Sequence, residues 1–226
     1  PIASERDDGE VLRTRSMVKI QEGCDHFCAY CIVPHVRGRE RSLATEEVIS
    51  EIQAKVGSGY REAVLTGTRL GAYTPGLSRL IQLILSDTGI ERLRLSSLQP
   101  CDIENDLLAL WSDNRLCRHI HLPLQSGSDA VLRRMDRPYS IAEYRRALER
   151  IREAIPDVSI STDIIVGFPG ESDGEFAESY DLCGRLGFSG IHVFSYSKRP
   201  GTKAESMPNH IDERVKKERS ERMLRL

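Results

Sequence analysis

The sequence predicts an α/β protein folded as an open, partial (βα)6 TIM-like barrel. Short runs of aliphatic and β-branched residues alternate with longer segments of helical periodicity, the pattern of βα units around a parallel sheet. Six such runs can be counted, too few to close as an eight-unit barrel does. A chain of 226 residues, 39% hydrophobic and 29% charged, carries enough apolar material for a substantial core and lacks the bias of a disordered or fibrous protein.

Residues 1–16 are polar and charge-rich without a periodic apolar face, so they read as a linker from an upstream domain. Pro1 and the charged opening make the chain read as a piece of a longer protein, with its folded domain over 17–226. Strands are expected at 18–21, 63–66, 93–97, 119–124, 158–166 and 190–195. Between them, Val48, Ile49, Ile52 and Val56 line one side of a helix, as do Leu80, Ile81, Ile84 and Leu85. Ser140 with Glu143 forms a capping box for a helix whose Tyr144, Leu148, Ile151 and Ile155 face inward, ended by Pro156. Asp173 is the expected N-cap of a helix striped by Phe176, Tyr180 and Cys183.

Lys and Arg total 32 against 34 Asp and Glu, a formal charge of -2, which argues against a wholly basic nucleic-acid coat and leaves room for a local basic patch. The apolar stretch 160–168 is broken by Ser161, Thr162 and Asp163, so nothing approaches the roughly 20 residues of a membrane helix. No membrane partner is expected.

In barrels of this kind the loops after the strands converge on one end, where ligands bind. The loop after the first strand holds Cys24, Cys28 and Cys31 as C-x3-C-x2-C, close enough to wrap three thiolates around one centre. Cys101, Cys117 and Cys183 are scattered, which disfavours a disulfide framework. Zinc would need a fourth ligand, for which His26 and His35 are near, but the second cysteine pair of a zinc knuckle is missing. A four-iron cluster held by three cysteines fits better, since it leaves one iron for an outside ligand.

The run Cys24-Asp25-His26-Phe27-Cys28-Ala29-Tyr30-Cys31 resembles the signature of the radical S-adenosylmethionine (SAM) enzymes. Its continuation, Ile32-Val33-Pro34-His35-Val36-Arg37-Gly38-Arg39-Glu40-Arg41-Ser42, is similar to the methylthiotransferase family, whose cluster loop runs on into Pro-x-x-Arg-Gly and then Ser. Leu122-Pro123-Leu124-Gln125-Ser126-Gly127-Ser128, Asp163-Ile164-Ile165-Val166-Gly167-Phe168-Pro169-Gly170-Glu171 and Tyr196-Ser197-Lys198-Arg199-Pro200-Gly201-Thr202 match the same family in order. Leu93-Arg94-Leu95-Ser96-Ser97 and the run 192–197 look most like its branch that modifies threonylcarbamoyl-adenosine beside the tRNA anticodon. Leu43 departs from the pattern, where an Arg commonly follows the Ser, and the family's N-terminal cluster domain and C-terminal RNA-binding domain are not in this sequence.

The resemblance implies a barrel of the radical SAM type, a 4Fe-4S cluster on Cys24, Cys28 and Cys31, and S-adenosyl-L-methionine bound at its open iron. It further implies reductive cleavage of SAM to a 5′-deoxyadenosyl radical that activates C2 of a modified adenosine for methylthiolation. Tyr30 would pack at the adenine, Thr66, Gly67 and Thr68 would hold the methionine amino group, and Gln125 and Ser126 would hydrogen-bond the ribose. Val166 and Gly167 would let the adenine approach the backbone, and Tyr196 would cap the sixth strand. Arg37, Arg39 and Arg41 would hold tRNA phosphates. Partners would be tRNA, through the full-length protein, and an electron donor, in a cytoplasmic setting. The alternatives are a sister methylthiotransferase acting on a ribosomal-protein aspartate, or a non-catalytic iron–sulfur or zinc module.

Overall fold

The computed structural model describes residues 14–226, so residues 1–13 of the expected linker lie outside the described residues. The elements follow in the order β1 (Arg15–Glu22), α1 (Val33–Arg37), β2 (Arg41–Ser42), α2 (Thr45–Gly57), β3 (Glu62–Gly67), α3 (Leu77–Asp87), β4 (Arg92–Leu95), α4 (Asn105–Ala109) and β5 (His119–His121). After these come α5 (Asp129–Arg134), α6 (Ile141–Ala154), β6 (Ser159–Val166), α7 (Asp173–Leu186), β7 (Gly190–Ser195) and α8 (Glu213–Met223).

β1, β3 and β4 pair in parallel, and so do β5, β6 and β7. Parallel bridges Leu93–Leu116 and Ser97–His121 join the two halves, giving six parallel strands curled into an open half-barrel. The two-residue β2 adds antiparallel to the outer edge of β1, too short to leave an alternating pattern. β1 begins at Arg15, ahead of the expected start near Met17.

Side chains alternate between two environments. Val18, Ile20, Ala63, Leu65, Leu93, Leu95, Ile160 and Ile164 are buried beneath the helices, where Val48, Ile52, Leu80, Ile81 and Ile84 meet them. α6 carries the expected capping box, Glu143 N–H donating to Ser140 Oγ, with Tyr144, Leu148 and Ile151 buried. On α7 the N-cap is Ser172, not Asp173: Ser172 accepts from the Glu175 amide and Glu175 returns to the Ser172 amide, a reciprocal pair that Asp173, one position inside, cannot form. Asp173 instead accepts from Arg219 of α8 at 2.7 Å.

β5 stops at His121, short of the expected 124. Pro123 has no amide hydrogen for the ladder, and Leu124 N–H turns to the Thr162 hydroxyl at 2.9 Å. Pairing resumes for one residue at Gln125, whose backbone links Asp163 O to Ile165 N. Among the described residues no helix is long and apolar enough to cross a membrane.

Candidate functional site at the C-terminal end of the sheet

The cysteine loop leaves β1 through Gly23, which sits at φ +78° with the Arg39 carbonyl so close that a Cβ would lie 2.0 Å from it. Only glycine tolerates both conditions. Cys24 N–H donates to Gly38 O at 3.1 Å, and Asp25 and Glu40 exchange backbone-to-carboxylate hydrogen bonds, so the loop closes on itself. Gln21, almost fully buried, donates from its amide to Gly23 O at 2.9 Å and accepts the Arg69 amide at 2.8 Å. One side chain thus ties the cysteine loop to the loop after β3.

The other flank rests on a small apolar cluster of Ala29, Val131, Met135, Phe168, Tyr196 and Ala204, with Tyr30 packed against it. Ala29 fixes it by accepting from Ala204 N–H and donating to Met135 O. All six cysteines are free thiols, and Cys24, Cys28 and Cys31 share this loop. Burial pushes the Cys24 and Cys31 thiols above their ordinary value, so a positive centre is what would draw off their protons. Cys28 accepts from Arg137 at 3.2 Å. Three soft sulfurs on one short loop, with the buried Nδ1 of His26 left without a partner beside them, are a donor set that fits an iron–sulfur cluster with an outside ligand.

Next to the loop opens a cavity of about 280 Å³ walled by Tyr30, Gln125, Asp163, Ile165, Tyr196 and Arg199. Gln125 holds a left-handed backbone, φ +68°, an uncommon conformation for a side chain of this size that the two β6 hydrogen bonds enforce. Tyr196 is buried with its hydroxyl unpartnered, ringed by Phe168 and His210. Burial raises the Tyr30 phenol well above its ordinary value, keeping it neutral. A larger depression, about 680 Å³, lies at the opposite end of the strands around Trp111, Arg118 and Arg150 and contains no cysteine.

The structure therefore gathers Tyr30, Gln125 and Tyr196 beside the three cysteines. Other expected residues lie elsewhere. Ser126 is fully buried behind the cavity, its hydroxyl 3.2 Å from Ser179 of α7 and accepting the Ser128 amide. Val166 belongs to the main core. Gly167, at φ +72°, yields to Lys216, whose Cγ would stand 2.2 Å from a Cβ, so its glycine is needed for the close approach of α8. Thr66 donates its hydroxyl to Val18 O at 3.3 Å, and Gly67 packs against Gln21, so this end of β3 braces β1; Thr68 is exposed. Arg37 and Arg41 both reach Glu22, and Arg39 reaches Asp25, all three remaining largely exposed.

Sequence reasoning missed Gln21, Arg137, Lys216, Glu171 and Arg219. Lys216 donates to Tyr196 O at 3.1 Å, and Arg219 donates to Glu171 at 2.6 Å while Glu171 accepts the Gly167 amide. This buried network pins α8 across the ends of β6 and β7. Glu171 lies inside the 163–171 motif, but its ionic partner Arg219 is 48 residues away and has no local pattern.

A model of the Radical SAM superfamily matches residues 18–183. The chain is 43% identical over 218 residues to a tRNA-2-methylthio-N(6)-dimethylallyladenosine synthase of Caldicellulosiruptor saccharolyticus, covering 93% of this chain and 46% of that one. It is 41% identical over 221 residues to the threonylcarbamoyladenosine tRNA methylthiotransferase MtaB of Bacillus subtilis, covering 95% and 49%. The chain spans about half the length of the curated relatives it matches. Among solved structures, the radical S-adenosylmethionine methyltransferase TsrM of Kitasatospora setae superposes with a TM-score of 0.72 at 17% identity over 84% of this chain and 38% of its own. Coproporphyrinogen III oxidase of Escherichia coli gives 0.66 at 17% over 93% and 50%. These two share the fold.

Proposed function

The chain belongs to the Radical SAM superfamily, and from that premise we propose that it is the radical-generating core of a tRNA methylthiotransferase acting in the cytoplasm on an adenosine with a bulky N6 substituent. The observation that carries this reading is the meeting of three free cysteines on one loop with the cavity of Tyr30, Gln125 and Tyr196. Relatives named for dimethylallyl and for threonylcarbamoyl adenosines match at 43% and 41% identity, which supports tRNA as the substrate without separating the two.

Cys24, Cys28 and Cys31 would hold a 4Fe-4S cluster. Bound there and reduced by an external donor, such a cluster would supply the one electron for reductive cleavage of SAM. The chain's own residues position and shield. Tyr30 and Tyr196 offer apolar surface to an adenine, and Gln125 presents an amide at the rim. The apolar cluster beneath the loop keeps water from that flank. Arg37, Arg39 and Arg41 offer phosphate contacts once freed from Glu22 and Asp25.

The test is anaerobic reconstitution with iron and sulfide, reduction with dithionite, and mass spectrometry for 5′-deoxyadenosine. Formation of that product, lost in Cys28→Ala, is expected. A colourless protein that binds zinc and leaves SAM intact would overturn the reading.

A further inference from the structure

Below the cavity, the concave face of the sheet carries a side-chain cluster that the proposed reaction does not use. β5, β6 and β7 run in parallel register, with His121 opposite Ser161 and Asp163 opposite His192, so one face of three adjacent strands presents two imidazoles and a carboxylate. His121 Nε2 and His192 Nδ1 each lie 3.2 Å from the same oxygen, Asp163 Oδ1. The three atoms all fall within 4.8 Å of one another, and the two rings stack with centroids 5.4 Å apart. Ligands bound tetrahedrally to a zinc-sized ion at about 2.0–2.1 Å stand roughly 3.3 Å from each other. The two nitrogen-to-oxygen edges already have that length.

The surroundings support the same reading. Ser161 Oγ lies 2.9 Å from His121 Nδ1 and 3.2 Å from His119 Nε2, so the far nitrogen of His121 is anchored and its near nitrogen is aimed at Asp163. Such an outer contact is what orients an imidazole for a metal. Among the described residues no Lys or Arg forms an ion pair with Asp163; its ionic partners are the two histidines. The His192 side chain is 63% exposed, which leaves an entry path.

We propose that His121, Asp163 and His192 bind a divalent first-row transition metal of the zinc class in the barrel lumen, at a site separate from the cysteine loop. Imidazole with one carboxylate selects this class, whereas calcium requires 6–8 oxygens. Three protein ligands leave a position for water or for an oxygen or nitrogen donor. Asp163 also lines the cavity, so that position opens toward whatever occupies it.

Zinc is the probe. The iron–sulfur-loaded protein is incubated with zinc, desalted, and examined by metal analysis, competitive titration and zinc X-ray absorption, none of which depends on SAM cleavage. The expected result is retained zinc with a nitrogen and oxygen shell near about 2.0–2.1 Å, weakened at least about tenfold in His192→Ala and Asp163→Asn and about tenfold in Ser161→Ala. The visible absorption of the cluster should be unchanged in all three. His192 is exposed, so His192→Ala should keep its fold, which circular dichroism checks. A sulfur shell at about 2.3 Å, no retained zinc, or a zinc affinity equal to that of the wild type in either His192→Ala or Asp163→Asn would overturn the proposal.

Discussion

The Arg137 guanidinium donates to the Cys28 sulfur across 3.2 Å, joining residues 109 apart in the chain. Its Nε donates to Tyr139 Oη at 3.1 Å, and its charge stands 4.8 Å over the Tyr139 ring. Burial alone would weaken that charge, but the surrounding groups, Tyr139 first among them, outweigh it and keep the guanidinium protonated. A fixed cation therefore stands within hydrogen-bond reach of the middle cysteine of the loop.

Arg137→Met should still assemble a cluster but release iron to a chelator faster, by about tenfold on the scale of outer contacts at metal sites. Arg137→Lys, which keeps the charge without the fork, should fall between. The decay of visible absorption under chelator measures it. An unchanged rate in Arg137→Met would show that the contact is packing alone.

Alanine at Cys24, Cys28 or Cys31 should abolish iron retention, because only these three thiols share a loop, whereas Cys101→Ala, Cys117→Ala and Cys183→Ala should keep it. Cys183 is buried on α7 and its thiol is pushed up to about 12 by burial, so it is not a ready ligand. Iron and sulfide content of each reconstituted variant decides the matter.

What could be read from the sequence was what repeats or lies close together in it. The βα alternation, the Ser140–Glu143 capping box and the cysteine triplet all depend on spacings shorter than a helix, and the structure contains each of them. Local spacing gave the wrong N-cap on α7 because two adjacent polar residues, Ser172 and Asp173, both suit the role, and Arg219 of a distant helix engages the second. Ser126 carried a plausible chemistry, but whether its hydroxyl faces the cavity or α7 depends on a turn after Pro123 that no periodicity reveals. The lumen cluster escaped notice for the related reason that its residues meet only through register between strands.

Arg219 and Glu171 form a pair in which both side chains are almost entirely buried, at 6% and 1% exposure. Removing one partner leaves the other charge in the interior, a loss of about 3–5 kcal/mol. Arg219→Leu should therefore lower the urea midpoint strongly and loosen α8 from the ends of β6 and β7. Adding Glu171→Gln should restore part of the loss, because the stranded carboxylate is then removed. Additive losses in the double variant would mean that the two side chains do not interact.

Glu62, buried on β3, receives Arg15, Arg92 and Arg94 at 2.8, 3.1 and 3.0 Å. Burial would raise its carboxyl, but the guanidinium groups prevail and hold it below the 4.5 of an unperturbed glutamate. A carboxylate whose folded value is depressed binds its proton more weakly when folded than when unfolded, so its stabilising contribution is complete above pH 4.5 and drains away as the pH falls through the folded value. Glu62→Gln removes the charge at every pH. The stability gap between wild type and Glu62→Gln, followed by urea unfolding, should thus be constant from neutral pH down to about 5 and close progressively below 4.5. Arg15 and Arg92 are more than half exposed, so added salt should narrow the gap at neutral pH as well. A gap that stays constant down to pH 3 would mean that the charge on Glu62 contributes nothing and that the side chain acts only by filling space.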